Sequence, residues 1–197
     1  MEKYVVTISR QFGSLGRTIA QKMSEKLQIH FYDRDIVEDT SKRMGQPISV
    51  ISNEEENTQS VFFRRQYPLG MGVANMQDEI FRIQSNIIKD LASKETCIIV
   101  GRCAGSVLKD YCRCLNIYIY APFEARMGNC TEILEMDSKT AKRMIREVDK
   151  ARENYRYHYC PEVKNPFDGY DIMIDSSKYS VEMTSDILTG MVRKLFL

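Results

Sequence analysis

The chain has 197 residues, enough to bury a full core in one domain, and its 28 basic residues against 27 acidic ones leave a formal net charge of +1. That balance makes no overall field for nucleic acid and disfavours a dedicated DNA or RNA binder. No apolar run approaches the length of a membrane helix and the N-terminal residues lack a signal-peptide core, so the expectation is a soluble, cytoplasmic protein with no membrane partner and six reduced cysteines.

The first predicted element is a strand over Val5 to Ser9. It runs into Arg10-Gln11-Phe12-Gly13-Ser14-Leu15-Gly16-Arg17-Thr18 and then an amphipathic helix. A strand, a glycine-containing turn and a helix form the layout of a phosphate-binding loop, whose backbone N–H groups wrap a phosphate at the helix N-terminus. Gly16 and Thr18 fit the usual pattern, Gln11 takes the place of the first glycine, and Arg17 takes that of the lysine. Arginine keeps the charge and can grip two oxygens at once. The competing reading is an ordinary strand-to-helix turn with Arg17 solvated. The helix carries Ile19, Met23 and Leu27 on one stripe and ends near Gln28.

A second strand, His30 to Tyr32, ends at Asp33-Arg34-Asp35, where an acid suits the start of a helix. From Gly45 to Gly72 three glycines, Pro47, Pro68 and the Glu54-Glu55-Glu56 run predict an inserted, mobile flap. Arg64 and Arg65 within it read as solvated before they read as phosphate ligands. Ala74 to Ala92 repeats Met76, Ile80, Ile83, Ile87, Ile88 and Leu91 at helical spacing. The strand Thr96 to Val100 lacks alternation in Ile98-Ile99-Val100, as a central strand buried on both faces should. It is followed by the turn Gly101-Arg102.

A fourth strand is predicted over Leu115 to Tyr120, then helix from Pro122 to Tyr159. Residues 146–156 of that helix hold four cations in eleven positions. Such a run is commonly a solvated face, yet Arg152 and Arg156 at i and i+4 share a helix side and could clamp one polyphosphate. Tyr155, Tyr157 and Tyr159 could stack bases or build a hinge, and His158 reads as structural. The last strand spans Asp171 to Ile174. Cys112 and Cys114 could offer two thiolates, but with only His30 and His158 elsewhere the cysteines read as buried thiols. Five strands alternating with helices predict an α/β fold with a parallel sheet covered on both faces. No feature specifies an oligomeric state.

Five segments in this order resemble the cytidylate kinase-like family of P-loop phosphotransferases. They are Ile8 to Ser14 with Gly16-Arg17, Phe31-Tyr32-Asp33-Arg34, Val100-Gly101-Arg102-Cys103-Ala104, Asp149 to Arg156, and Ile174-Asp175-Ser176-Ser177. The resemblance implies a single three-layer P-loop NTPase domain over 1–197, adenylate-kinase-like, with an acceptor-binding insert at 45–72 and a helical lid at 125–160. It implies ATP and Mg²⁺ as cofactors and small nucleotide substrates. Gly13, Ser14, Leu15, Gly16, Arg17 and Thr18 would cradle the donor phosphates, Thr18 would help hold Mg²⁺, and Arg17, Arg152 and Arg156 would be catalytic. Asp33, Arg34 and Arg102 would face the acceptor. CMP or dCMP is the first acceptor expected, although Cys103 stands where cytidylate kinases carry an aspartate. The alternatives are a catalytically weak nucleotide-binding regulator and a kinase of another small metabolite, with Asp33 as its base.

Overall fold

A computed structural model of the chain describes residues 2–49, 51, 73–111 and 113–197. Its elements follow the sequence closely. Strand β1 (Val5–Arg10) is rich in β-branched residues and leads through the glycine-containing loop into helix α1 (Gly16–Leu27). Helix α1 stops at Gln28, which takes the left-handed conformation (φ +55) and donates its N–H to the Ser24 carbonyl. There follow β2 (His30–Tyr32), α2 (Arg34–Met44), α3 (Val73–Lys94), β3 (Cys97–Val100), α4 (Ala104–Val107), β4 (Cys114–Tyr120), α5 (Phe123–Gly128), a π-helical turn (Asn129–Ile133), α6 (Ser138–Tyr159), β5 (Ile172–Asp175) and α7 (Val181–Phe196).

The five strands form one parallel sheet in the order β2-β3-β1-β4-β5. β1 is the middle strand; β3, expected to be central, is its inner neighbour, paired on both sides and buried throughout. The chain places β2 and β3 on one side of β1 and β4 and β5 on the other. Such a reversal opens a crevice at the carboxyl ends of the strands, where open α/β sheets bind ligands.

Two apolar layers sandwich the sheet. Val6, Ile8, Ile98, Val100, Leu115, Ile117 and Ile119 pack on Ile19, Ala20 and Met23 of α1 and on Leu188 and Val192 of α7. On the opposite face Val5, Cys97 and Ile99 meet Ile36 of α2, Ile87 and Ile88 of α3, and Ala104 of α4. Each such aliphatic side chain, fully buried, contributes about 1.5–3 kcal/mol. These layers hold the strand ends in place for whatever sits above them.

One expectation needs adjustment. The region from Pro122 to Tyr159 is not continuous helix: it breaks at Leu134–Asp137, and the Asp137 carboxylate accepts from the Thr140 N–H to restart it as α6. A further small core, Cys130, Ala141 and Ile145 with Phe12 and Met127, ties this pair of helices to the loop after β1. Most of the expected insert, including Arg64 and Arg65, lies outside the described residues, as does Cys112. α2 closes at Gly45 (φ +63), and Ile51 packs against Val37 and Ile80.

Candidate functional site

The loop after β1 is held from behind, carbonyl by carbonyl. The Arg10 carbonyl accepts from Arg152 Nη1 (3.1 Å), Gln11 from Ser14 Oγ (2.9 Å), and Phe12 from Arg126 Nη1 (3.2 Å). Gly13 accepts from Asn129 Nδ2 (2.8 Å) and Ser14 from Ser176 Oγ (2.8 Å). With five successive carbonyls turned towards protein donors, the loop has little freedom left to rotate its peptides. Gln11 adds a side-chain tether, its Oε1 accepting from the Ala121 N–H at 3.1 Å.

Loop and helix meet at Leu15, which has φ +59 and ψ +17 and whose side chain does not cap α1. A non-glycine residue there costs about 1–2 kcal/mol, a strain that collects at functional turns. The amides of Gly16, Arg17 and Thr18, in the first turn of α1, have no intrahelical acceptor by geometry and carry the positive end of the helix dipole. Thr18 is exposed on that turn. Gly13 cannot be larger: it has φ +76, and a Cβ there would lie 2.9 Å from Cys130 Sγ and 3.0 Å from the Arg126 carbonyl oxygen.

Opposite the helix start, cations gather around one acid. Asp33, buried at the end of β2, accepts from Arg17 Nε at 2.6 Å and lies 3.7 Å from Arg10 Nη2. The Arg17 guanidinium sits 5.8 Å from the Phe31 ring. Burial pushes Arg10 down to about 9; the nearby charges of Arg152, Arg102 and Arg17 push the same way, against the pull of Asp33. So the charges of Arg152, Asp33, Arg102 and Arg17 all act on Arg10. Arg102 is placed by a turn of three consecutive positive φ values, Gly101 (+79), Arg102 (+57) and Cys103 (+52).

The expected site residues divide. Gly13 to Thr18, Arg17, Asp33, Arg102 and Arg152 converge at the carboxyl end of the sheet. Arg34 is exposed on the first turn of α2. Arg156 does not share a target with Arg152: it donates to the carbonyls of Pro166 and Asp168 and its guanidinium lies 4.6 Å from the Tyr170 ring. Tyr155 and Tyr159 pack against Phe81 of α3, and the His158 ring stands 3.6 Å from the Asp78 carboxylate. Cys103 points to Cys160. Their thiols are within hydrogen-bonding reach, which raises Cys103 and lowers Cys160.

Sequence reasoning missed Arg10, Arg126 and Asn129. Arg126 is 9% exposed and pairs with Asp149, whose other oxygen accepts from the Phe12 N–H at 2.8 Å. The visible signal was Arg10 itself, a charged residue closing an apolar strand at the ligand-binding edge. On the other side of the loop a cavity of about 380 Å³ is lined by Leu15, Ile19, Asn129, Ile133, Tyr179 and Val181 among others. Among the described residues no cluster of three or more His, Cys, Asp or Glu could hold a metal by itself, and no helix is long and apolar enough to cross a membrane.

Comparison with known proteins bears on the family and the fold. The sequence signature of the cytidylate kinase-like family matches residues 5–178. A cytidylate kinase of Methanocaldococcus jannaschii is 25% identical over 195 residues, covering 97% of this chain and 98% of the relative. An uncharacterized protein from Eubacterium ventriosum superposes with a TM-score of 0.71 at 24% identity, over 97% of this chain and 99% of that one. The Acinetobacter baumannii shikimate kinase in complex with shikimate gives 0.53 at 12% identity, over 99% and 96%. A gluconokinase from Sinorhizobium meliloti gives 0.56 at 12%, over 98% and 93%.

Proposed function

The chain belongs to the cytidylate kinase-like family and is a phosphotransferase of the P-loop kinase fold, and from that premise we propose that it transfers the γ-phosphoryl group of ATP, with Mg²⁺, to a nucleoside monophosphate, CMP or dCMP first. The observation that carries this reading is the loop from Arg10 to Ser14, each of whose carbonyls is fixed by a side-chain donor beside an uncapped helix start. Preorganised amides facing a developing charge need no rearrangement when it arrives, which is the main source of catalysis in phosphoryl transfer.

The residues take roles by position. The amides of Gly13, Ser14, Leu15, Gly16, Arg17 and Thr18 hold the donor phosphates. Arg17 and Arg152 neutralise charge on the transferring group, and Asp33 keeps Arg17 oriented through its 2.6 Å bond. Asp33, Arg34 and Arg102, on the β2 and β3 side, face the acceptor. The cavity beside Leu15 and Tyr179 is of a size and polarity to take the donor base. Arg156 would reach the phosphates only by leaving the Pro166 and Asp168 carbonyls. Thr18, with its hydroxyl on the exposed first turn, fits a Mg²⁺ held otherwise by phosphate oxygens; the ion would supply charge neutralisation on those oxygens. Transfer is in line, with no covalent enzyme intermediate.

One observation favours a second reading of the acceptor. Cys103 turns its thiol to Cys160 instead of presenting a carboxylate to the pocket, so a small-metabolite hydroxyl, with Asp33 as base, fits a site that has lost a base-reading acid. Incubating the protein with ATP, Mg²⁺ and a panel of nucleoside monophosphates, with Arg17→Ala as the control for contaminating kinases, decides between them. Formation of CDP or dCDP that disappears in the variant supports the nucleotide reading. ATP binding without transfer to any nucleoside monophosphate overturns it and leaves the metabolite kinase and the nucleotide-binding regulator.

A further inference from the structure

We propose that Arg10 is the cation that grips the donor's outer phosphates, in the role that a phosphate-loop lysine has at the start of the helix; this rests on the donor-binding reading above. In a G-x-x-x-x-G-K loop the second glycine serves a backbone that turns through positive φ just before the helix, and the lysine opens the helix. Here the residue at positive φ immediately before α1 is Leu15, and α1 opens at Gly16. Aligned by conformation, Leu15 therefore stands at the second glycine, Gly16 at the lysine, and Arg10 at the first glycine. The loop's register lies one residue earlier than the letters suggest, and Arg17 falls one position past the lysine.

Space couples positions 10 and 16. A Cβ on Gly16 would sit 2.7 Å from Arg10 Cβ and 3.2 Å from Arg10 Cγ. The side chain present at 10 thus fills the volume that one at 16 would enter. Further out, a Cβ on Gly101 would meet Arg10 Nη1 at 2.5 Å. Arg10 threads between two glycines that leave room for it and delivers its guanidinium beside Asp33, 3.7 Å away, among Arg17, Arg102 and Arg152.

Electrostatics gives the arrangement its purpose. Burial and the like charges of Arg152, Arg102 and Arg17 disfavour the Arg10 charge, against the pull of Asp33. A polyphosphate bearing three or four negative charges reverses the sign of that environment. A residue kept only to hold Asp33 would be better served by less burial and fewer like charges around it.

The test moves the cation from position 10 to position 16. Arg10→Gly, Gly16→Lys and the double variant are titrated with ATP and with inorganic triphosphate, and assayed for phosphoryl transfer. Glycine is used at position 10 because alanine would keep the Cβ that blocks a residue at 16. Arg10→Gly should weaken both ligands by about 10- to 100-fold, the scale of losing a charge-assisted contact. Gly16→Lys alone, with both side chains competing for one volume, should also bind poorly, whereas the double variant should recover most of the lost affinity. A purely structural Arg10 would not be rescued by a lysine on another element. Where Arg10→Gly does not fold, Arg10→Gln keeps the stem between the glycines, removes the charge, and carries the same expected loss. If the parent binds ATP and Arg10→Gly binds it equally, or the double variant binds no better than Arg10→Gly, the assignment of Arg10 falls while the donor site stands. If the parent binds neither ATP nor triphosphate, the donor reading falls and takes this assignment with it.

Discussion

Removing the Asp149 carboxylate tests the claim that α6 braces the phosphate loop. Asp149 pairs with Arg126 and accepts the Phe12 N–H, while Arg126 donates to the Phe12 carbonyl, so one ion pair fixes both polar groups of a loop residue. Deleting one partner of a buried pair costs about 3–5 kcal/mol because the other is left uncompensated. Asp149 is 25% exposed against 9% for Arg126, so solvent reaches part of the site; the lower end, about 3 kcal/mol including the lost Phe12 bond, is the better figure. For a domain of this length that lowers Tm by about 6–12 °C. Thermal melts of Asp149→Ala, Arg126→Met and the Asp149→Leu/Arg126→Met double variant measure the pair directly. The double variant should melt well above the sum of the two single losses, because an apolar pair leaves no buried charge. An Asp149→Ala melt within about 2 °C of the parent, or strict additivity in the double variant, would refute the brace.

Other outcomes follow from the same geometry. Arg17→Ala should lower turnover by on the order of a hundredfold, the scale for deleting one preorganised charge donor, and unchanged turnover in a steady-state assay removes Arg17 from the mechanism. Gly13→Ala meets both the φ of +76 and the backbone carbonyl of Arg126; strain and overpacking together should cost about 2–4 kcal/mol, read as a lower midpoint in urea. Glu182 links α7 to Lys22 and Lys26 of α1, and those hydrogen bonds lower its pKa to about 2. The unfolded chain takes up that proton first as pH falls, so the contribution is present above about 4.5 and is lost on the way down to about 2. Glu182→Gln should flatten stability against pH in that window; an unchanged acid limb contradicts the tie.

The sequence disclosed the scaffold more fully than the site. All five strands were legible because short β-branched runs alternate with helical periods, and a parallel sheet needs little else to be ordered. What stayed hidden depends on direction, not on composition. Arg152 and Arg156 share a helix side by spacing, yet one reaches a loop carbonyl and the other a turn beside Tyr170, because the chain after α6 folds back only at the distal end. Gly16 matched a glycine of the expected motif by letter, but backbone conformation moves that glycine's place to Leu15. No residue pattern announces a left-handed leucine. Arg126 and Asn129 were illegible for a similar reason: their partners are main-chain carbonyls more than a hundred residues away, and a carbonyl leaves no trace in a sequence.

The bracing contacts also constrain how the site can open. A lid made by swinging α6 as one body would have to break Arg152 from the Arg10 carbonyl and Asp149 from the Phe12 amide, and so would loosen the loop as it uncovered it. Towards its end the same helix is joined to α3 through Tyr155 and Tyr159 on Phe81, and to the following turn through Arg156. The middle of α6 is therefore loop scaffold, and the contacts able to yield without disturbing the phosphate loop are those at the helix end. An enzyme built this way couples phosphate-loop order to the seating of α6. Loss of Asp149 should then raise KM for ATP as well as lower Tm, whereas disrupting the Tyr159 and Phe81 stack should leave the loop, and ATP affinity, nearly intact.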